Sequence, residues 1–229
     1  MNELAPHIVT AYDAEIRRLD SLLAEMGGHC ETQLACAVRA VIERNADLAR
    51  ETAGRDIVID ALEREVEGLI VRLLALRQPV AIDLRHILAA LKAAANLERA
   101  GDYAKNIAKR AVSLAGLPPL AATPSIEKLG GLARDLLHQS LDALTQRDAL
   151  LAAEVWRRDR ELDDLHASVM NEIFGCLSGE RAHAEACSHL QFVAKNLERI
   201  GDLATNIAET VQFDATGRLT GEERPRGGE

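Results

Sequence analysis

Apolar residues along the chain recur at helical spacing, and no stretch shows the alternation of a strand. Ile59, Leu62, Val66, Leu69, Ile70 and Leu73 fall on one side of a helix. A second stripe starts after Pro79, a residue suited to a helix's first turn, and runs through Leu84, Ile87 and Leu91 to about Leu114. An earlier pattern covers roughly 5–44, with Gly27 and Gly28 either breaking it or absorbed into one long helix. The stretch from Gly116 to Pro124 holds three prolines in nine residues and is the clearest interruption in the chain. Beyond it, helices are predicted near 125–146, 148–177 and 180–213.

These patterns predict an all-α fold of two tandem, sequence-related three-helix bundles with six long antiparallel helices. The first bundle covers 1–115, a linker 116–124 and the second bundle 125–213, while the Gly-rich, charged tail 214–229 is predicted to be disordered.

The two halves are copies. NLERAGDYAKNIA at 96–108 and NLERIGDLATNIA at 196–208 agree at ten of thirteen positions, 100 residues apart. Upstream the register is 103: Arg44, Arg55, Asp56, Asp60, Leu62, Val66 and Ile70 match Arg147, Arg158, Asp159, Asp163, Leu165, Val169 and Ile173. Three residues are therefore missing from the second half's connection, where the first has Leu76 to Ala81. A repeat of this length suits a duplicated small domain and is too long for a solenoid unit.

Composition narrows the function classes. Apolar residues make up 48% of the chain but aromatics only 3%, which favours helix packed on helix. A formal charge of −9 leaves no global surface for duplex nucleic acid. No apolar run approaches the roughly 18 residues a membrane span needs, and the N-terminus carries no export pattern. Cys30, Cys36, Cys176 and Cys187 have no CxxC spacing and read as isolated thiols in a reducing compartment. A soluble, cytoplasmic protein is expected.

The duplicated acids are the candidate chemistry. Glu98 and Asp102 lie four apart, on one helix face away from the main apolar seam, as do Glu198 and Asp202. Asp56/Asp60 and Asp159/Asp163 repeat the spacing on the preceding helix of each half. Arg99 and Lys105 could neutralise Asp102, yet the second copy has Thr205 where the first has Lys105, so the acids persist while the bases around them change. If the paired helices face each other, four carboxylates converge in each half, and a hard cation such as iron, manganese or magnesium would relieve the repulsion. A solvated acidic face is the alternative.

Asn106 and Asn206 are possible neutral ligands, and His166 a possible extra one, although its first-half equivalent is Glu63 and a ferritin-like pair of E-x-x-H helices is absent. Gly101 and Gly201, costly inside a helix, suggest close approach of a neighbouring helix or an ion. No nucleotide-binding loop and no nucleophile–base signature is visible.

RQPVAIDLRHILAALK, the doubled NLER-x-GD element and the early MGGHCETQL together resemble the PhoU family of bacterial phosphate-signalling regulators, over all but about the last fifteen residues. The resemblance implies two similar three-helix bundles. It also implies metal sites, multinuclear in some members, at Asp56, Asp60, Glu98 and Asp102 and at Asp159, Asp163, Glu198 and Asp202, with zinc a further possible metal.

The implied role is that of a cytoplasmic negative regulator of phosphate uptake. It would act as an adaptor between the ATPase subunit of the phosphate ABC transporter and the sensor histidine kinase of the phosphate regulon, often as a homodimer. The alternatives are a carboxylate-bridged metalloenzyme, hydrolase or oxidase, and a purely structural helical interaction module.

Overall fold

The computed structural model describes the backbone of residues 4–177 and 181–217 and the side chains of 12–177 and 183–217. Seven helices follow in order: α1 (Leu4–Ile42), α2 (Ala46–Gly54), α3 (Asp56–Arg77), α4 (Ile82–Ala115), α5 (Thr123–Gln146), α6 (Ala149–Gly175) and α7 (Arg181–Thr216). No strand occurs among the described residues. Six helices are long and form two bundles, α1/α3/α4 and α5/α6/α7, as the apolar stripes predict. The short α2 extends α3 backwards past a break at Arg55, a break the apolar pattern did not predict. The second half has no such break, because α6 runs unbroken through Arg157, the counterpart of Gly54.

The bundles share one core. α1 packs on α4, α4 on α7, α7 on α5 and α5 on α1, closing a ring of four. α2 and α3 lie on the α1–α4 side, and α6 on the α5–α7 side. Leu22, Met26, Leu97, Ile107, Ile126, Leu136, Leu197 and Ile207 belong to a single buried cluster spanning both halves. Along α4 the buried positions are mostly small, with Ala90, Ala93, Ala94, Ala100, Ala104, Ala108 and Ala111, which lets neighbouring helices approach closely.

The duplication is visible in the turns and in the crossings. Arg44 and Arg147 both adopt left-handed backbone at the end of the first helix of their bundle, with φ of 54° and 52°. Each is followed by a capping residue: Asn45 accepts from the Leu48 N–H at 3.0 Å, and Asp148 from the Leu150 N–H at 2.7 Å. Gly27 is absorbed in α1, and a Cβ there would sit 2.5 Å from Leu141 Cδ2. Gly130, 103 residues on, meets Val38, itself 103 before Leu141, in the same way.

Gly101 and Gly201 behave likewise, facing Ile59 of α3 and Leu162 of α6. Close helix approach, and not an ion, is what these glycines serve.

α7 extends to Thr216, so Asp214 belongs to a helix and is buried. The rest of the tail expected to be disordered, 218–229, lies outside the described residues.

Candidate functional site

In the first bundle α3 and α4 bring acids and one base together. Asp56 opens α3 and is only 4% exposed. A buried carboxylate needs a charged partner, and the Lys105 ammonium of α4 supplies it by direct contact. Lys105 also reaches Asp102 Oδ1 at 3.2 Å. The hydrogen bond to Asp56, followed by that to Asp102, outweighs burial and holds the ammonium well above its ordinary range. One turn before Asp102, burial together with the Asp102, Glu63, Asp60 and Asp56 carboxylates pushes the Glu98 carboxyl up to about 7. Burial and the carboxylates of Glu67 and Asp60 likewise raise Glu63. The face is therefore strongly negative, with a lysine set into it.

The second bundle neutralises its acids differently. Thr205, at the position of Lys105, is fully buried and donates its hydroxyl to the Asp202 carbonyl at 2.7 Å. Lys195, where the first copy has Ala95, lies 2.7 Å from Glu198 Oε1 and 2.6 Å from Oε2. Asp159 Oδ1 lies 3.9 Å from where a Cβ of Gly201 would be, and Asp163 is exposed on α6. The acids keep their register, while the base that answers them moves along the helix.

This arrangement overturns the expected metal cofactor, whether iron, manganese, magnesium or zinc. Among the described residues no group of three or more His, Cys, Asp or Glu is placed to hold a metal ion. In the first bundle Lys105 takes up the carboxylates of Asp56 and Asp102 itself. In the second, Glu198 is held by Lys195 and Asp163 faces solvent. The changing bases read in the sequence as a sign that metal compensates the acids; instead, each copy supplies its own ammonium group. Asn106 is exposed, and His166 joins no ligand set.

Two further clusters escaped the sequence reading. His86, at the start of α4, is 6% exposed. Its Nδ1–H donates to Asp214 Oδ2 at 2.9 Å and its Nε2–H to Asp20 Oδ1 at 2.8 Å. Arg147 Nη2 donates to Asp20 Oδ2 at 3.3 Å. Burial disfavours the imidazolium, but its hydrogen bonds to Asp20 and Asp214 win and raise its pKa to about 9. One charged knot thus ties α1, α4, the α5–α6 turn and α7. Only a hydrophobic stripe carrying a histidine hinted at it, and partners 66 and 128 residues away carry no local signal.

The second cluster is the seam between α4 and α7, which run antiparallel. Lys92 stacks over Phe213, Arg199 over Tyr103 and Arg110 over Phe192, with distances to the ring centroids of 5.5, 5.9 and 4.3 Å. At its middle the two copies of the repeated element meet, and Arg99, Tyr103, Arg199, Asp202, Leu203 and Asn206 line a groove.

Comparison with known proteins follows the same division of the chain. The PhoU domain model matches twice, over residues 23–111 and 126–211. The chain belongs to the PhoU family. A phosphate-specific transport system accessory protein PhoU homolog of Caulobacter vibrioides is 44% identical over 224 residues, covering 97% of each chain. Its counterpart in Rhizobium meliloti is 38% identical, covering 96% of this chain and 93% of that protein. The crystal structure of PhoU from Pseudomonas aeruginosa superposes with a TM-score of 0.86 at 33% identity, covering 90% of this chain and all of that one. Family members are regulatory, non-catalytic accessory proteins of phosphate transport, so the metalloenzyme alternative falls away and a general regulatory role in phosphate signalling stands.

Proposed function

We propose that the protein is a cytoplasmic negative regulator that couples phosphate uptake to the phosphate-starvation response. It would bridge the ATPase subunit of the phosphate ABC transporter and the sensor histidine kinase of the phosphate regulon. The observation that carries this reading is the match to the Caulobacter vibrioides accessory protein, 44% identical across 97% of both chains.

The architecture suits an adaptor. Among the described residues no helix is long and apolar enough to cross a membrane, so membrane-bound partners would be reached by docking. The α3–α4 connection exposes Leu76, Val80 and Ile82, and the start of α6 exposes Leu150. Bare side chains of this size are what a partner surface covers. A second copy of the chain would be a further partner of the same kind.

Deletion of the gene, with a phosphate-starvation reporter read at high phosphate, tests the role. Derepression, together with co-purification of the ATPase or the kinase with the tagged protein, is the expected result. Unchanged reporter output would refute it.

A further inference from the structure

The four cysteines show no paired spacing in the sequence, yet the fold brings two of them to one place. Cys176 closes α6 and Cys187 lies on α7, on either side of the connection between these packed helices. Both meet the Ile173 carbonyl: the Cys176 N–H donates to it at 3.1 Å and the Cys187 Sγ–H at 3.6 Å. The Cys187 sulfur is thus no more than about 7 Å from the Cys176 nitrogen, near the reach of a disulfide, whose Cα atoms stand about 4–7 Å apart. The duplication marks the same two places, because Cys176 and Cys187 stand where the first bundle has Leu73 and Ile87, both fully buried. Cys187 is 1% exposed whereas Cys176 is half-buried, so a reagent in solution meets Cys176 first. Burial, and after it the charge of Cys176, raises the Cys187 thiol. Cys30 and Cys36 belong to α1, where Cys30 donates to the Leu97 carbonyl and Cys36 accepts from the Arg55 guanidinium.

We propose that Cys176 and Cys187 form a reversible dithiol–disulfide site, closed by hydrogen peroxide and reopened by a dithiol reductant. Cys176 reacts first: its thiolate attacks one peroxide oxygen, the O–O bond breaks, and the other oxygen takes up the thiol's proton and leaves as water. Cys187 then attacks the sulfur of the Cys176 sulfenic acid. The S–S bond forms, the S–O bond breaks, and the departing hydroxide carries off the Cys187 proton as a second water. The two thiols supply the two electrons that reduce the peroxide. Exchange with a dithiol, itself oxidised to a disulfide, restores both thiols. A buried thiol held against a reachable one suits this order, since Cys187 acts only once Cys176 carries an electrophilic sulfur. The bond would join the end of α6 to α7 beside the exposed Phe174 and Leu177, fixing the part of the bundle that displays them. The site stands apart from the regulatory role proposed above.

The test oxidises the full-length folded protein with hydrogen peroxide, alkylates the remaining thiols and maps the chain by proteolysis and mass spectrometry. A peptide pair joined through Cys176 and Cys187 is expected, with alkylation of the two lost together and restored by dithiothreitol. Cys30 and Cys36 should keep their label. Cys187→Ser should leave Cys176 as a sulfenic acid that dimedone traps, and Cys176→Ser should leave Cys187 labelled as in the untreated chain. The oxidised protein should melt no lower than the reduced one, since the bond joins residues the fold already holds together. Bonds to other cysteines or between two chains, or Cys176 and Cys187 still alkylated after Cys36 has reacted, would each overturn the proposal. So would a bond that forms only in urea or lowers the melting temperature. A reporter unchanged by gene deletion while the bond still forms would strike the regulatory role alone.

Discussion

Lys105 and Asp56 sit in direct contact across the α3–α4 crossing, and the ammonium is the carboxylate's charged partner. Asp56 is nearly inaccessible, whereas the lysine side chain is 28% exposed. Removing the lysine therefore leaves a buried charge without a partner, whereas removing the acid leaves a cation that can turn to water. Lys105→Thr, which installs the second copy's residue, should cost about 3 kcal/mol in urea unfolding. Asp56→Asn in the same chain should return much of that loss. A double-mutant cycle showing no coupling between the two would refute the pairing.

The same geometry bears on metals. Since Asp56 and Asp102 are answered by Lys105 and Glu198 by Lys195, and no group of acids among the described residues is placed to hold a metal, chelation should leave the melting temperature within about 1 °C of its starting value. A marked fall in EDTA, reversed by one added metal, would contradict it.

His86 makes stability depend on pH at the alkaline end. Its pKa rises from 6.5 to about 9 on folding, so the folded state binds its proton more tightly than the unfolded one. The stabilisation is fully present below about pH 6.5 and is lost as pH rises through about 9. Its upper size is about 3 kcal/mol. Asp20 and Asp214 favour the imidazolium and Arg147 opposes it, so the charge in question is that of the whole knot. Unfolding of wild type and His86→Gln, compared at about pH 6 and about pH 10, should show a gap that shrinks at the higher pH. A gap independent of pH would show that the ring acts only by its shape.

A helical Gly→Ala change ordinarily stabilises by up to about 1 kcal/mol. At Gly101 the opposite is expected, because the new Cβ would lie 2.8 Å from Ile59 Cδ1. Gly101→Ala should cost about 1 kcal/mol, measured by thermal unfolding. Ile59→Val alongside it should recover more than half. Gly201→Ala, whose new Cβ would meet Leu162 Cδ2, should destabilise the second bundle in the same way. Stabilisation by Gly101→Ala alone would mean that the crossing is looser than described.

The sequence carried the architecture a long way. Six long helices follow from apolar stripes over 5–44, Ile59–Leu73 and Leu84–Leu114 and from their copies in the second half, because a helix that buries one face must repeat its apolar residues every three or four positions. The glycine pair was legible as a close approach of either a helix or an ion, and only the contacts with Ile59 and Leu162 decided for the helix. The break at Arg55 was not, because it changes the backbone without interrupting the apolar pattern.

The acids show the limit. Periodicity placed Asp56, Asp60, Glu98 and Asp102 on adjoining helices but could not say which side chain would fill the space among them. An ion and a lysine answer the same repulsion, and a lysine three residues from Asp102 looks like any solvated one until its distance to Asp56 is known. His86, Asp20 and Asp214 were less legible still, since nothing local marks three residues far apart in the chain as partners.

By itself, then, the sequence determined the helices, the duplication and the family, all of which rest on local spacing and on comparison of the chain with itself. Only the tertiary structure decided that Lys105 answers Asp56, that His86 ties the two halves together and that Arg99 and Arg199 meet on one seam. The physical reason is range: helical periodicity is set within a few residues, whereas charge compensation depends on distances of a few ångströms between residues far apart in the chain.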